Sequence, residues 1–222
     1  MKIELHAHTS AVSRCAHSKP DLMVKTCKES GYDAVVVTEH YSNSHLSQCV
    51  GMSFDEMISA YMRGYYESRN EGEKIGLRVF FGIELCCDPG PNDYLIYGAD
   101  EKFLRSAPVL PEMQLTDIIK ILPESALVYQ AHPFRDNMRI TPPERLFGIE
   151  VFNGNLRHNS RNSFARLWAE KYGLNMISGS DYHDSGDPFC GGAEFYDNIN
   201  SEAELVTALK SGKYELITDS RA

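Results

Sequence analysis

The sequence predicts a single α/β domain spanning residues 1–222, and two observations carry that prediction. Short apolar runs alternate with helix-patterned segments in about seven strand–helix units, which favours a barrel over an open sheet. Metal-competent side chains recur just past the apolar runs, where the C-terminal ends of barrel strands converge on one face. Five of the eight histidines, His6, His8, His40, His132 and His183, fall at such positions.

Taken in order, residues 2–5 form a short strand running into His6-Ala7-His8. Pro20 suits the first turn of a helix over 20–30, and Gly31 is placed to stop it. Residues 33–37 are too apolar for a half-exposed strand and read as a buried one. The spacing of Met57, Ile58, Tyr61, Met62 and Tyr65 predicts a helix over 54–73. Strands follow at 78–82 and 94–97, then a helix over 115–122 ended by Pro123. The second half continues with strands at 126–129 and 148–152, a helix over 159–172 closed by Gly173, and a strand at 174–177. A helix over 203–211 and a last strand at 214–217 complete the chain.

A chain of 222 residues is long enough for a substantial core. No apolar run approaches the roughly 18 residues of a membrane span, and the N-terminus lacks the apolar stretch of a signal peptide. The six cysteines form no CxxC pair, so reduced thiols in a cytoplasmic protein are expected. With 22 basic against 31 acidic residues and a net charge of −9, a long nucleic-acid surface is disfavoured. A small phosphorylated substrate is not.

The ordered set His6-Ala7-His8, Thr38-Glu39-His40, Gly82-Ile83-Glu84, His132 and Gly179-Ser180-Asp181-Tyr182-His183 resembles the PHP (polymerase and histidinol phosphatase) family. That resemblance implies a distorted (β/α)7, TIM-like barrel that hydrolyses phosphoesters with two or three divalent ions (Zn, Fe or Mn). By the same resemblance His6, His8, Glu84 and Asp181 hold a first metal. Glu84 bridges to a second completed by His132, and His17, His40 and His183 hold a third. Imidazole and carboxylate donors suit these ions, and two ions roughly 3.5–4 Å apart can activate a shared water and clamp a phosphoryl oxygen.

The chain departs from the family pattern in three places. Asn92-Asp93-Tyr94 stands where many members carry a histidine, and Asp93 is expected to take that ligand position. Thr38-Glu39-His40 replaces the commoner Thr-Asp-His, with Glu39 expected to support a ligand rather than bind metal. Arg14-Cys15-Ala16-His17 replaces an Asp-Gly loop; His17 is the natural substitute ligand, with Cys15 as its rival.

Phosphate recognition calls for arginine, whose fork of donors matches phosphate oxygens. Arg135 and Arg157 are the candidates, with Arg14 a weaker third, and His158 is a candidate general acid for the leaving group. Glu150, inside an apolar strand, either orients a ligand histidine or pairs structurally. His45 reads as a solvated or satisfied side chain, and Cys86-Cys87 as inert thiols. The expected enzyme is a metal-dependent phosphoric ester hydrolase acting on a small phosphomonoester, resembling histidinol phosphate or a nucleotide, through a metal-bridged hydroxide. The alternatives are an amidohydrolase-type hydrolase, a nuclease acting on short ends, and a catalytically silent metal-binding regulatory domain.

Overall fold

The computed structural model describes residues 1–87 and 89–218. Eleven strands and seven α-helices follow one another among these residues. The first half holds β1 (Lys2–Ala7), α1 (Pro20–Glu29), β2 (Ala34–Val37), β3 (His40–Tyr41), α2 (Asn43–Leu46), α3 (Phe54–Ile75), β4 (Arg78–Phe81) and β5 (Ile83–Cys86). The second holds β6 (Asp93–Tyr97), α4 (Glu101–Ser106), α5 (Leu115–Ile121), β7 (Leu127–Gln130), β8 (Gly148–Asn153), α6 (Asn162–Tyr172), β9 (Asn175–Gly179), β10 (Ala193–Phe195), α7 (Glu202–Ser211) and β11 (Tyr214–Leu216).

The strands form two sheets, ordered β11-β10-β1-β2-β4 and β3-β5-β6-β7-β8-β9. Only Thr38-Glu39 separates β2 from β3, and only Gly82 separates β4 from β5, so each pair is one bent strand shared between the sheets. At the other side, Ala7 makes a parallel bridge to Tyr182. The regular parallel alternation expected of a (β/α)7 barrel is broken: β6 runs antiparallel to both β5 and β7, and β10 is antiparallel to both β1 and β11. The architecture is a mixed α/β fold.

Strand period and burial explain the packing. In β2, Ala34 and Val36 join Leu5, Phe80, Leu95, Tyr97, Leu127, Tyr129 and Ile177 in a core lying between the sheets. Val35 and Val37 point the other way, onto Met23 and Val24 of α1 and Ile58, Tyr61 and Met62 of α3. Helix α3 begins with a Ser53–Glu56 capping box and ends at Gly76 in the left-handed conformation. Such a cap contributes about 1 kcal/mol.

Two expected elements shifted for identifiable reasons. The strand expected at 78–82 ends at Phe81 and resumes past Gly82 as β5, where Glu84 is held by backbone pairing with β3 and β6. The helix expected from 159 begins only at Asn162. The Asn162 side chain folds back to accept from Asn153 N (3.0 Å) and donate to Asn153 O (3.1 Å), and Arg161 precedes it with a positive φ of 49°.

Candidate metal centre

The strand ends bring residues from almost the whole chain together. His6 lies in β1 and His8 just beyond it; His40 and Glu84 are register partners on β3 and β5. Asp93 opens β6 and pairs in register with Cys86. Since β6 runs antiparallel to its neighbours, its first residue reaches the face where the others have their last ones. His132 follows β7, while Asp181 and His183 follow β9.

Glu84 is the centre of the arrangement. Its Oε1 lies 3.2 Å from His6 Nε2 and 3.1 Å from His132 Nε2; its Oε2 lies 3.2 Å from His8 Nε2 and 2.7 Å from His40 Nδ1. Asp181 Oδ1 is 3.4 Å from His6 Nε2, from His8 Nε2 and from His183 Nδ1. Asp93 Oδ2 is 3.8 Å from His132 Nε2. Three overlapping donor groups result: His6, His8 and Asp181; Glu84, Asp93 and His132; and His8, His40 and His183.

The chemistry of this set fits metal ions. His6 Nε2, His8 Nε2 and Glu84 Oε2 are buried without a hydrogen-bond partner, although they crowd one another. A buried polar atom left that way costs about 1–3 kcal/mol. A shared cation at the focus of these atoms would satisfy them together, and the mixed nitrogen and oxygen donors suit Zn, Fe or Mn.

The surrounding residues aim the ligands. Glu150 accepts from His6 Nδ1 (2.9 Å), from His132 N (2.8 Å) and from Asn153 Nδ2 (3.0 Å). His6 therefore carries its proton on Nδ1 and presents Nε2 to the centre. Of the two readings of Glu150, the one borne by its contacts is orientation of the His6 ring; among the described residues no arginine pairs with it. Gly179 lets that contact form, since a Cβ there would overlap His6 and Glu150. Glu39 touches no ligand ring; it accepts from the hydroxyls of Thr9 and Ser13. Ser13 in turn meets His8 Nδ1 at 3.3 Å and accepts from His40 N at 3.1 Å. Two candidate ligands have left-handed backbones, His132 at φ 27° and Asp181 at φ 52°, a strain of about 1–3 kcal/mol each that the surrounding contacts maintain.

Burial and mutual charge set the protonation of the metal-free cluster. Burial pulls His6 down, yet Glu84, Asp181 and Glu150 outweigh it and hold the ring well above the usual imidazole range. His40 is raised in the same way, mainly by Glu84. Burial opposes ionisation of Glu84 and Asp181, but His40 and His6 keep Glu84 well below the usual carboxylate range, and His6, His158 and His8 do so for Asp181. Burial and the nearby Glu84 raise Asp93. Burial, then His8, pushes His183 down to about 3.

Not every expected residue joins the centre. His17 is set apart: its side chain is 77% exposed and pairs with Asp184 Oδ1 at 2.7 Å. The backbone N–H groups of His17 and Ser18 both donate to His183 O (3.1 and 3.0 Å), which turns the His17 ring outward. Arg157 is also engaged elsewhere, donating to Asp184 Oδ2 (2.9 Å) and Asp187 Oδ2 (3.3 Å). Arg135 reaches the site edge, donating to Asp93 Oδ2 at 3.1 Å. His158 Nε2 lies 3.5 Å from Asp181 Oδ2, and its Nδ1 meets Ser160 Oγ at 3.1 Å. Arg157, His158 and Arg161 line a cavity of about 590 Å³. Arg14, Cys15, His40, Cys86 and Asp93 line another of about 390 Å³. His45 is buried against Tyr41 and Tyr61, with Cys49 Sγ 3.6 Å from its Nε2. Sequence reasoning missed Ser13 and Asp184 as supports, because a lone small polar residue in a loop carries no pattern.

No described helix is long and apolar enough to cross a membrane. An uncharacterized protein of Methanocaldococcus jannaschii is 27% identical over 194 residues, covering 82% of this chain and 65% of that protein. Among solved structures, a two-domain protein from Bacteroides vulgatus containing a predicted PHP-like metal-dependent phosphoesterase superposes with a TM-score of 0.71 at 19% identity, over 98% of this chain and 64% of that one. The chain thus spans just under two thirds of both relatives. An amidohydrolase from Chromobacterium violaceum, solved with bound sulfate and no metal, covers the full length of both chains at 14% identity with a TM-score of 0.59. These structural likenesses concern the fold. The PHP domain pattern matches residues 4–187, a span that takes in every donor around Glu84, and the chain belongs to the PHP domain family.

Proposed function

We propose that this chain is a metal-dependent phosphoesterase acting on a small phosphomonoester, resembling histidinol phosphate or a nucleotide, in a cytoplasmic setting. The observation that carries the reading is Glu84, whose two carboxylate oxygens each face two imidazoles. In this reading the bent strands and the Ala7–Tyr182 contact close a distorted (β/α)7 barrel around the site. His6, His8 and Asp181 hold one ion, Glu84, Asp93 and His132 a second, and His40 with His183 a third. When bound, such ions supply an activated water and neutralise charge on the transferring phosphoryl group.

The chain's own residues do the rest. Three carboxylates (Glu84, Asp93 and Asp181) leave a cluster of two or three dications net positive, which favours an anionic substrate over a neutral amide. Arg135, held by Asp93, offers its remaining donors to a phosphoryl oxygen. Arg157 braces the loop through its ion pairs with Asp184 and Asp187, and its charge is engaged there. His158 Nε2 is the proton donor to the leaving oxygen, with Nδ1 steadied by Ser160.

The amidohydrolase reading has fold likeness behind it, whereas Arg135 at the site edge, beside a net positive cluster, favours a phosphate. Purified protein supplied with Mn, Zn or Fe should hydrolyse a generic aryl phosphate and leave an aryl amide intact. In Asp181→Ala or His8→Ala, turnover should fall to the uncatalysed level with an unchanged circular dichroism spectrum. Unchanged turnover in either variant would refute the proposal.

A further inference from the structure

The first and last ligand segments meet across a seam. β1 and β9 lie in different sheets, and among the described residues their segments share a single bridge, Ala7–Tyr182. Yet His6 on β1 and Asp181 just past β9 hold donor atoms 3.4 Å apart. One side chain spans that seam. Glu4 alternates with Ile3 and Leu5 along β1, so it shares the strand face of His6 while they enter the core. Its Oε1 accepts from His6 N and from Ser180 N, both at 2.8 Å, and its Oε2 accepts from the Ser180 hydroxyl.

The sense of these bonds is fixed. Ser180 Oγ accepts from Cys190 N (2.8 Å) and Gly191 N (2.9 Å), which fill its two lone pairs and leave its proton for Glu4. Glu4 is fully buried, a costly place for a carboxylate unless its oxygens are bonded, and here both serve as acceptors. Its bonds go to the backbone of one candidate ligand and to the neighbour of another. The residue after Ser180 is Asp181, whose left-handed backbone (φ 52°) needs support from its surroundings. Gly191 packs on the same turn so closely that a Cβ there would overlap the backbone of Gly179 and Ser180. Glu150 orients the His6 ring; Glu4 sets where its strand stands relative to Asp181.

We propose that Glu4, acting through Ser180, is a positioning residue that holds His6 and Asp181 at the spacing needed to share one ion. This role rests on the metal-dependent reading above.

Cobalt(II) titration of the whole chain, followed by visible ligand-field bands and by competition with a chelator, measures the ions. The component lost in Asp181→Ala marks the inner ion. In Glu4→Gln, the side-chain amide meets a hydroxyl whose lone pairs are already filled. Affinity of the inner component should fall about 10–100-fold, with its band pattern altered and the remaining components unchanged. Ser180→Ala should weaken it too, and the double variant should lose no more than Glu4→Gln alone, because both changes cut one chain of bonds. Denaturant unfolding of the metal-free protein is the control. Lower stability with native cobalt affinity in both variants would mean a role in folding alone and overturn the proposal. So would equal weakening of every component, or additive losses in the double variant. If Glu4→Gln does not fold, Ser180→Ala decides by the same affinity and stability criteria. A native chain that binds no cobalt removes the metal-dependent reading and this role with it, whereas native binding that both variants retain removes the role alone.

Discussion

The inner and outer donor groups of the centre are built differently. His6, His8 and Asp181 are almost fully buried and come from strand ends that pair with one another. His40 is half-buried, and Ser13 of the loop over residues 9–18 accepts from its backbone N–H. The inner group is supported by a buried carboxylate reaching two strands, Glu150. The outer one depends on Glu39, which touches the loop instead of the ligands. A site fixed by sheet pairing tolerates little change, whereas a loop is free to turn a side chain away, as His17 turns to Asp184.

Three measurements press on this contrast. The largest effect is expected from Glu150→Gln, which removes the acceptor charge behind His6 and the His132 backbone. Affinity for the inner ions should fall about 10–100-fold, read by competition against a chelator, while the outer position keeps its affinity. Equal losses at both would mean that the groups are not separable.

Next is Gly64→Ala. Gly64 faces Glu39 from α3, and a Cβ there would overlap the Glu39 carboxylate. Displacing Glu39 should cost about 1–3 kcal/mol of stability, seen in denaturant unfolding, and should weaken the outer position more than the inner. A neutral substitution would show that Glu39 does not hold the loop.

The smallest effect concerns protons. His6 in the inner group and His40 in the outer are both held well above the ordinary imidazole value of about 6.5. They keep their protons in the metal-free state at neutral pH, so ions must displace them. Metal affinity should rise with pH through and above that value, by up to about tenfold per unit for each proton released. His183, pushed down to about 3, releases none. Calorimetry in two buffers of different ionisation enthalpy counts the protons; no difference between buffers would contradict the raised values.

Much of the site was readable from pattern. Hydrophobic runs of strand length locate strand ends, and a histidine or carboxylate just beyond such a run has few structural uses. That logic found His6, His8, Glu84, His132, Asp181 and His183, which the fold brings together. It failed where the decisive contact is distant and leaves no local trace. His17 is separated by 167 positions from Asp184, the carboxylate that draws it outward. Arg157 is neutralised by that residue and by Asp187, so its apparent freedom as a phosphate ligand was an artefact of reading one loop at a time.

The order and chemical type of the donors were already set in the chain, because strand period and burial are local properties that a one-dimensional pattern preserves. The antiparallel sense of β6, which brings Asp93 to the face of the other donors, was settled by folding, as were the four imidazoles around Glu84 and the outward turn of His17 to Asp184. Those outcomes depend on which way side chains point and on what they meet across the sheet. Such contacts form between segments far apart in sequence, and only packing determines which of the available partners each side chain finds.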